Sequence, residues 1–440
     1  MRWNGFLSSL RKQDFYVHQG KVTKVSSLVV ESVGPPVLVG ELCRIVNHTH
    51  QAANCTAEVV GLRGHTVLLM PFGETRGIGL DSQVIRTGGP LSVRVGPGLL
   101  GRVIDPFGRP LDGKPLQEGA EELALRGQHR NPLSRRKISE VLETGLRVID
   151  TFLPLGKGQR VGIFAGSGVG KSTLLGMIAR DSRSDINVIA LIGERGREVG
   201  EFLSKTLGPS GLARSVVVVA TSDQPALVRE LAAHTATAIA EYFCGAGKDV
   251  LLIMDSVTRF AMAHREIGLS IGEPATARGY TPSAFAAMPR LLERAGSFEG
   301  CGSITAIYTV LVEGDDLHEP VSDHMRAILD GHVVLSRDLA NHGHYPAIDV
   351  LKSVSRLATD LWVKPERDTI RAALRLLSTR ERYRDMIEIG AYRQGSNPEV
   401  DKAIAVYPEL ERFLSQEPEE RPTRTESFAQ LQKLAAMYRI

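Results

Sequence analysis

Residues 160–173 read RVGIFAGSGVGKST, and the fold of the chain is decided there. Val161 to Phe164 is a short apolar run that predicts a buried strand. It breaks at a glycine-rich turn and resumes as the apolar helical pattern Leu174-Leu175-Gly176-Met177-Ile178-Ala179. Strand, glycine-rich loop and helix start, in that order, form the context of a phosphate-binding loop. In such a loop, Ala165, Gly166, Ser167, Gly168, Val169, Gly170, Lys171, Ser172 and Thr173 surround the phosphates of a nucleoside triphosphate. Backbone N–H groups and the positive end of the helix face the anion. Lys171 is expected to reach the terminal phosphates, and the Ser172 hydroxyl to sit on Mg²⁺. Ala165 stands where the strict G-x-x-x-x-G-K-[ST] pattern has glycine, and the adjacent Gly166 is expected to supply the missing freedom. The plainer alternative is a glycine-rich turn with no ligand.

Hydrolysis needs more than this loop. Val250-Leu251-Leu252-Ile253-Met254-Asp255 is an apolar strand ending in a carboxylate, so Asp255 is a candidate Mg²⁺ holder, through water. Leu191-Ile192-Gly193-Glu194-Arg195-Gly196-Arg197-Glu198 ends a strand in alternating charges. Placed beside the phosphate loop, one of these glutamates could polarise a water and an arginine could offset phosphoryl charge. Spacing alone does not choose between Glu194 and Glu198, nor against a solvated charged loop.

Outward from this centre, residues 151–360 alternate apolar runs with helical segments, which predicts a parallel sheet covered by helices. Upstream, residues 20–92 carry close-set β-branched runs, Pro36 to Val39 among them, divided by glycine and proline. They predict a small β-barrel or sandwich whose work is oligomer packing. Residues 93–150 are rich in turn formers and read as a connector, with a helical pattern through Val141, Leu142, Leu146 and Ile149. Downstream of Lys364 the chain is helical. At the start, Trp3, Phe6, Leu7 and Leu10 recur at helical spacing and could fill a partner's groove or pack on their own domain. The expected class is α/β, a phosphate-loop core preceded by a barrel and followed by helices. The expected division is 1–18, 19–92, 93–363 and 364–440.

The 440 residues carry a formal charge of only +3, and 5% are aromatic. Neither a nucleic-acid field nor a stacking platform follows, so no nucleic-acid partner is expected. Cys43, Cys55, Cys244 and Cys301 lack metal-ligand spacing and fit small core positions in a reducing compartment. With no secretory pattern and no long apolar run, a cytoplasmic protein is expected.

Several further stretches carry a family resemblance: Pro346-Ala347-Ile348-Asp349-Val350-Leu351-Lys352-Ser353-Val354-Ser355, Asp255-Ser256-Val257-Thr258-Arg259, Gly279-Tyr280-Thr281-Pro282-Ser283, and Leu335-Ser336-Arg337. With the Gly193–Glu198 stretch, they make nearly the whole chain resemble the hexameric rotary ATPase group, above all its type III protein-export ATPases. The resemblance implies ATP with Mg²⁺ as ligand and a homohexamer as the working form. It implies Glu194 as catalytic base, Arg195 and Arg259 as neighbours of the γ-phosphate, and Tyr345 as the aromatic packed on adenine. Arg356 resembles an arginine finger acting on the adjacent subunit. Export chaperones, cargo proteins, a membrane export gate met peripherally at the inner membrane, and a stator-like regulator at the N-terminus are the implied partners. The stretch Tyr383 to Tyr392 lacks the acidic run of an ATP synthase catalytic subunit. A flagellar member is expected over a virulence-secretion one.

Overall fold

The computed structural model describes residues 17–47, 54–115, 121–127, 131–312, 314 and 316–438. The amphipathic opening around Trp3 and Phe6 lies outside the described residues. Six antiparallel strands, Gln19–Val25, Val30–Val33, Glu41–Val46, Cys55–Arg63, Thr66–Pro71 and Gln83–Pro90, close into a barrel. Their inward positions alternate along each strand and fill the interior with Val22, Val30, Cys43, Ile45, Val59, Leu69 and Val84. The run at Pro36 to Val39 is no strand; it is irregular, with Leu38 and Val39 exposed. Pro35 and Pro36 offer no N–H to a ladder there.

The central sheet runs Val354–Ser355, Gly331–Leu335, Arg160–Ala165, Ser303–Leu311, Asp249–Asp255, Ile186–Glu194, Ser215–Thr221 and Arg102–Ile104 from edge to edge. Gly296–Ser297 pairs off this path, antiparallel to Ser303–Leu311. All neighbours along the path are parallel except the terminal Val354–Ser355. Strands covered on both faces must be apolar along their whole length, which is why Val188 to Ile192, Val216 to Ala220 and Val250 to Met254 are unbroken runs.

Residues 93–150 do more than connect. Arg102–Ile104 forms the sheet's far edge, and Ser92–Val95 pairs with Glu121–Ala124. The helical pattern expected at 141–149 resolves into a two-residue strand, Val141–Leu142, and a helix, Arg147–Phe152. Gly145, at φ 75°, makes the break, because that backbone conformation suits glycine. The C-terminal helices Lys364–Arg382, Pro398–Leu414 and Arg424–Met437 bury Ile370, Leu376, Leu410 and Phe413 in the same core as Leu146, Ile149 and Phe152. The helical domain is thus fused to the nucleotide side of the sheet by a shared apolar interior.

Candidate active site

In an open parallel sheet, the carboxyl ends of the strands gather loops at one rim. Here that rim holds the phosphate loop after Ala165, Glu194 at the end of its strand, and Asp255 at the end of another. Ala165 still belongs to the strand, paired with Leu311 and Leu335 and 1% exposed. A strand residue needs no left-handed backbone, so alanine fits without compensation. The positive φ angles fall at Gly168 (79°) and Gly170 (84°) rather than at Gly166. Gly170 starts the helix Lys171–Asp181, and Ser167, Gly168, Ser172 and Thr173 are exposed at its mouth.

Lys171 stands at the centre. Its Nζ lies 2.5 Å from Asp255 Oδ1 and 3.8 Å from Glu194 Oε1. The Glu194 strand is not next to the phosphate-loop strand, since two strands intervene. The long lysine spans the gap. Thr309, on the strand between Asp255 and the phosphate loop, donates its hydroxyl to the same Asp255 oxygen at 2.7 Å. Sequence reading missed Thr309; it is one of several hydroxyl side chains in the buried run Ser303–Leu311, and nothing in that run marks it out.

Burial pushes the Glu194 carboxyl up to about 7, reinforced by the negative Asp255 and opposed by Lys171. Glu198 lies below the ordinary carboxylate range, chiefly because it accepts a hydrogen bond from Glu194, with Arg195 adding to the effect. The hydrogen bond between the two carboxyls favours the proton on the inner one, Glu194. Arg195 points away, its side chain 80% exposed and 2.9 Å from Glu198 Oε1. The alkyl stem of Arg259 lies on Gly193, where an added Cβ would come within 3.1 Å of it. Its Nε is buried without a hydrogen-bond partner, a donor free to meet an anion.

The Tyr345 ring lies against the phosphate loop: a Cβ on Gly170 would sit 3.3 Å from Tyr345 Cε1. At 46% exposure, the ring keeps a face open. Arg356 is not at this rim. Its backbone N–H bonds to the Asp330 carbonyl, opposite the start of the phosphate-loop strand, and Asp330 also receives the Arg160 N–H. Five residues of strand at 3.3 Å each separate that level from Ala165, about 17 Å. The exposed Arg356 guanidinium donates to the Arg326 carbonyl at 2.9 Å. Lys171, Asp255, Glu194, Arg259 and Tyr345 converge; Arg195 stands at the margin and Arg356 at the far end.

The nucleotide-binding domain model of the ATP synthase alpha/beta family matches residues 145–355, its beta-barrel domain model residues 22–88, and the C-terminal domain model of the EscN ATPase of type III secretion residues 363–433. The flagellum-specific ATP synthase of Bacillus subtilis is 52% identical over 434 residues, 99% of each chain. The chain belongs to the type III protein-export ATPases. This export ATPase is also 48% identical over 397 residues to the type 3 secretion system ATPase of Xanthomonas euvesicatoria, covering 90% of this chain and 89% of that one. Among solved structures, the assembled ATPase EscN from the type III secretion system of enteropathogenic E. coli superimposes with a TM-score of 0.89 at 42% identity. That match covers 94% of this chain and 99% of EscN.

The family implies a nucleotide substrate accompanied by Mg²⁺, and the donor set suits that ion. Asp255 is a carboxylate at 4% exposure and Ser172 a hydroxyl at the mouth, both hard oxygen ligands. No group of three or more His, Cys, Asp or Glu side chains placed to hold a metal occurs among the described residues. Mg²⁺ needs none, because it takes most of its ligands from water and substrate phosphates.

Proposed function

We propose that this export ATPase works as a homohexameric ring, most closely a flagellar one, hydrolysing ATP to release chaperones and unfold cargo at a membrane export gate. The observation that carries this reading is the split site: Lys171 lies 2.5 Å from Asp255 and 3.8 Å from Glu194, while Arg356 is displayed a strand length away. A finger so placed serves another subunit's phosphate. The 52% identity to a flagellum-specific ATP synthase over 99% of both chains supports the flagellar assignment. A virulence-secretion role is the second reading, favoured by the EscN likeness. An EscN structure in complex with its central stalk EscO supports an assembly with further protein partners, and the stator-like regulator is assigned on the family resemblance to residues 1–18. No helix among the described residues is long and apolar enough to cross a membrane, which fits peripheral attachment at the cytoplasmic face.

In the proposed reaction, Glu194 in its carboxylate form takes a proton from a water that attacks the γ-phosphorus in line. The bond from the γ-phosphorus to the bridging oxygen breaks, leaving ADP and phosphate. Lys171 and Arg259 hold the phosphate oxygens, and Arg356 of the neighbour meets the charge that grows in the transition state. Asp255 and Ser172 would hold Mg²⁺, which when bound would supply charge neutralisation to the phosphates. Tyr345 offers its open face to the base.

Mixing two inactive variants tests the split site. Arg356→Ala keeps a good phosphate site, and Lys171→Ala keeps a good finger. Co-assembled in equal amounts, they should recover about a quarter of wild-type turnover, the chance that a good site meets a good finger in trans. A mixture no more active than its components overturns the shared site. Deleting the gene and scoring filaments and motility against secretion of virulence effectors decides the flagellar assignment.

A further inference from the structure

Tyr345 is held in place by the C-terminal domain. The Gln416 backbone N–H donates to the Tyr345 carbonyl at 2.8 Å, and Ser415 Oγ lies 3.0 Å from His344 Nδ1. One dipeptide thus clasps the other. Gln416 anchors the clasp: it is 5% exposed, and its side chain fills three further bonds. Its Oε1 accepts from the Arg147 N–H at 2.8 Å, and its Nε2 donates to the Gly145 carbonyl at 2.8 Å and the Glu420 carbonyl at 3.1 Å. A glutamine amide whose acceptor and both donors are all used inside a protein fixes its surroundings to a single arrangement. Beside the clasp, the domains part around a cavity of about 440 Å³ lined by residues that include His344, Ile348, Leu377, Tyr407 and Leu414. The helices therefore have room to shift there, with the clasp as the polar tie to the tyrosine.

We infer that Gln416 is a positioning residue for the nucleotide base: through the Ser415–Gln416 clasp, the C-terminal helical domain sets the seat of Tyr345 and so the affinity for the base-bearing part of the ligand. The inference rests on the reading that Tyr345 packs on adenine, and goes beyond it by naming what controls that contact. Phosphate recognition is built on other elements. Loosening the clasp weakens the base contact and leaves the phosphate loop intact.

Calorimetric titration of the full-length protein with Mg–ADP and, separately, with inorganic tripolyphosphate tests this. Gln416→Ala removes hydrogen bonds of about 1 kcal/mol each, so ADP binding should weaken about five- to tenfold. Tripolyphosphate, which has no base, should bind as to wild type. KM for ATP should rise by the same factor with kcat within about twofold. Ser415→Ala, which leaves the buried amide in place, should move ADP the same way by less. It serves as the test if Gln416→Ala does not fold. Tyr345→Ala fixes the frame of reference. If it leaves the ADP-to-tripolyphosphate ratio unchanged, the adenine reading falls and the inference with it. If it lowers that ratio while the clasp variants do not, or if they weaken both ligands equally, the inference alone is overturned.

Discussion

The acid limb of turnover should report a single carboxyl. Burial and the negative Asp255 lift Glu194 to about 7, and only its carboxylate can accept the water proton. The sign follows: raising pH through 7 switches the base on. With that value, about one site in eleven is ionised at pH 6 and ten in eleven at pH 8, so kcat/KM should climb about tenfold between them. Glu194→Gln should bind nucleotide normally, lose on the order of 10²–10⁴ in turnover, and show no such limb. Glu198→Gln gives the sharper check. The Glu198 carboxylate accepts the proton of neutral Glu194 and so favours the protonated form. Removing that negative acceptor should move the limb to lower pH, making the variant relatively more active at pH 6 than wild type. Phosphate-release assays from pH 5.5 to 8.5 at low ATP read kcat/KM, which reports the free enzyme. A flat wild-type profile, or an acid limb that survives in Glu194→Gln, refutes the assignment of the base.

Gly170→Ala should cost about 1–2 kcal/mol of stability, the strain of a left-handed alanine, read as a lower thermal midpoint. The 3.3 Å approach of its Cβ to the Tyr345 ring adds to that. Phe413→Ala empties a fully buried site against Phe152, 6.3 Å away, and should cost about 3–5 kcal/mol, read as a lower thermal midpoint. Lys171→Ala should abolish measurable binding of ADP and tripolyphosphate alike while leaving the fold intact by circular dichroism.

Residue chemistry alone exposed the phosphate loop and the Asp255 strand, because both are written in contiguous residues with a fixed backbone job. The choice of Glu194 over Glu198 was open on spacing. Tyr345 and Arg356 came from resemblance, since an aromatic 174 positions after Lys171 bears no local mark of where it folds back to. Thr309 and Gln416 were invisible for a related reason. Each acts through a partner far along the chain, 54 residues away for Thr309 and Asp255, and neither makes a pattern with its neighbours. The edge strand Arg102–Ile104 was hidden by brevity, because three residues cannot show a period.

That edge strand decides where the protein can be cut. It covers Val216, Val217 and Val218 of Ser215–Thr221, the most β-branched run in the sheet. A truncation beginning at 145, where the match to the nucleotide-binding domain starts, would keep the phosphate loop but strip this cover. It would leave bare a flat valine edge with open backbone donors and acceptors, a template for aggregation. Trimming just before Ser92 instead keeps Arg102–Ile104 and the Ser92–Val95 pairing, and gives up the barrel together with the cover that Val29, Leu68 and Met70 lend to Ala226, Leu227, Ala263 and Ile267. The turn-rich stretch between barrel and phosphate loop therefore acts as the hem of the sheet, and the smallest well-behaved nucleotide-binding fragment should begin before it.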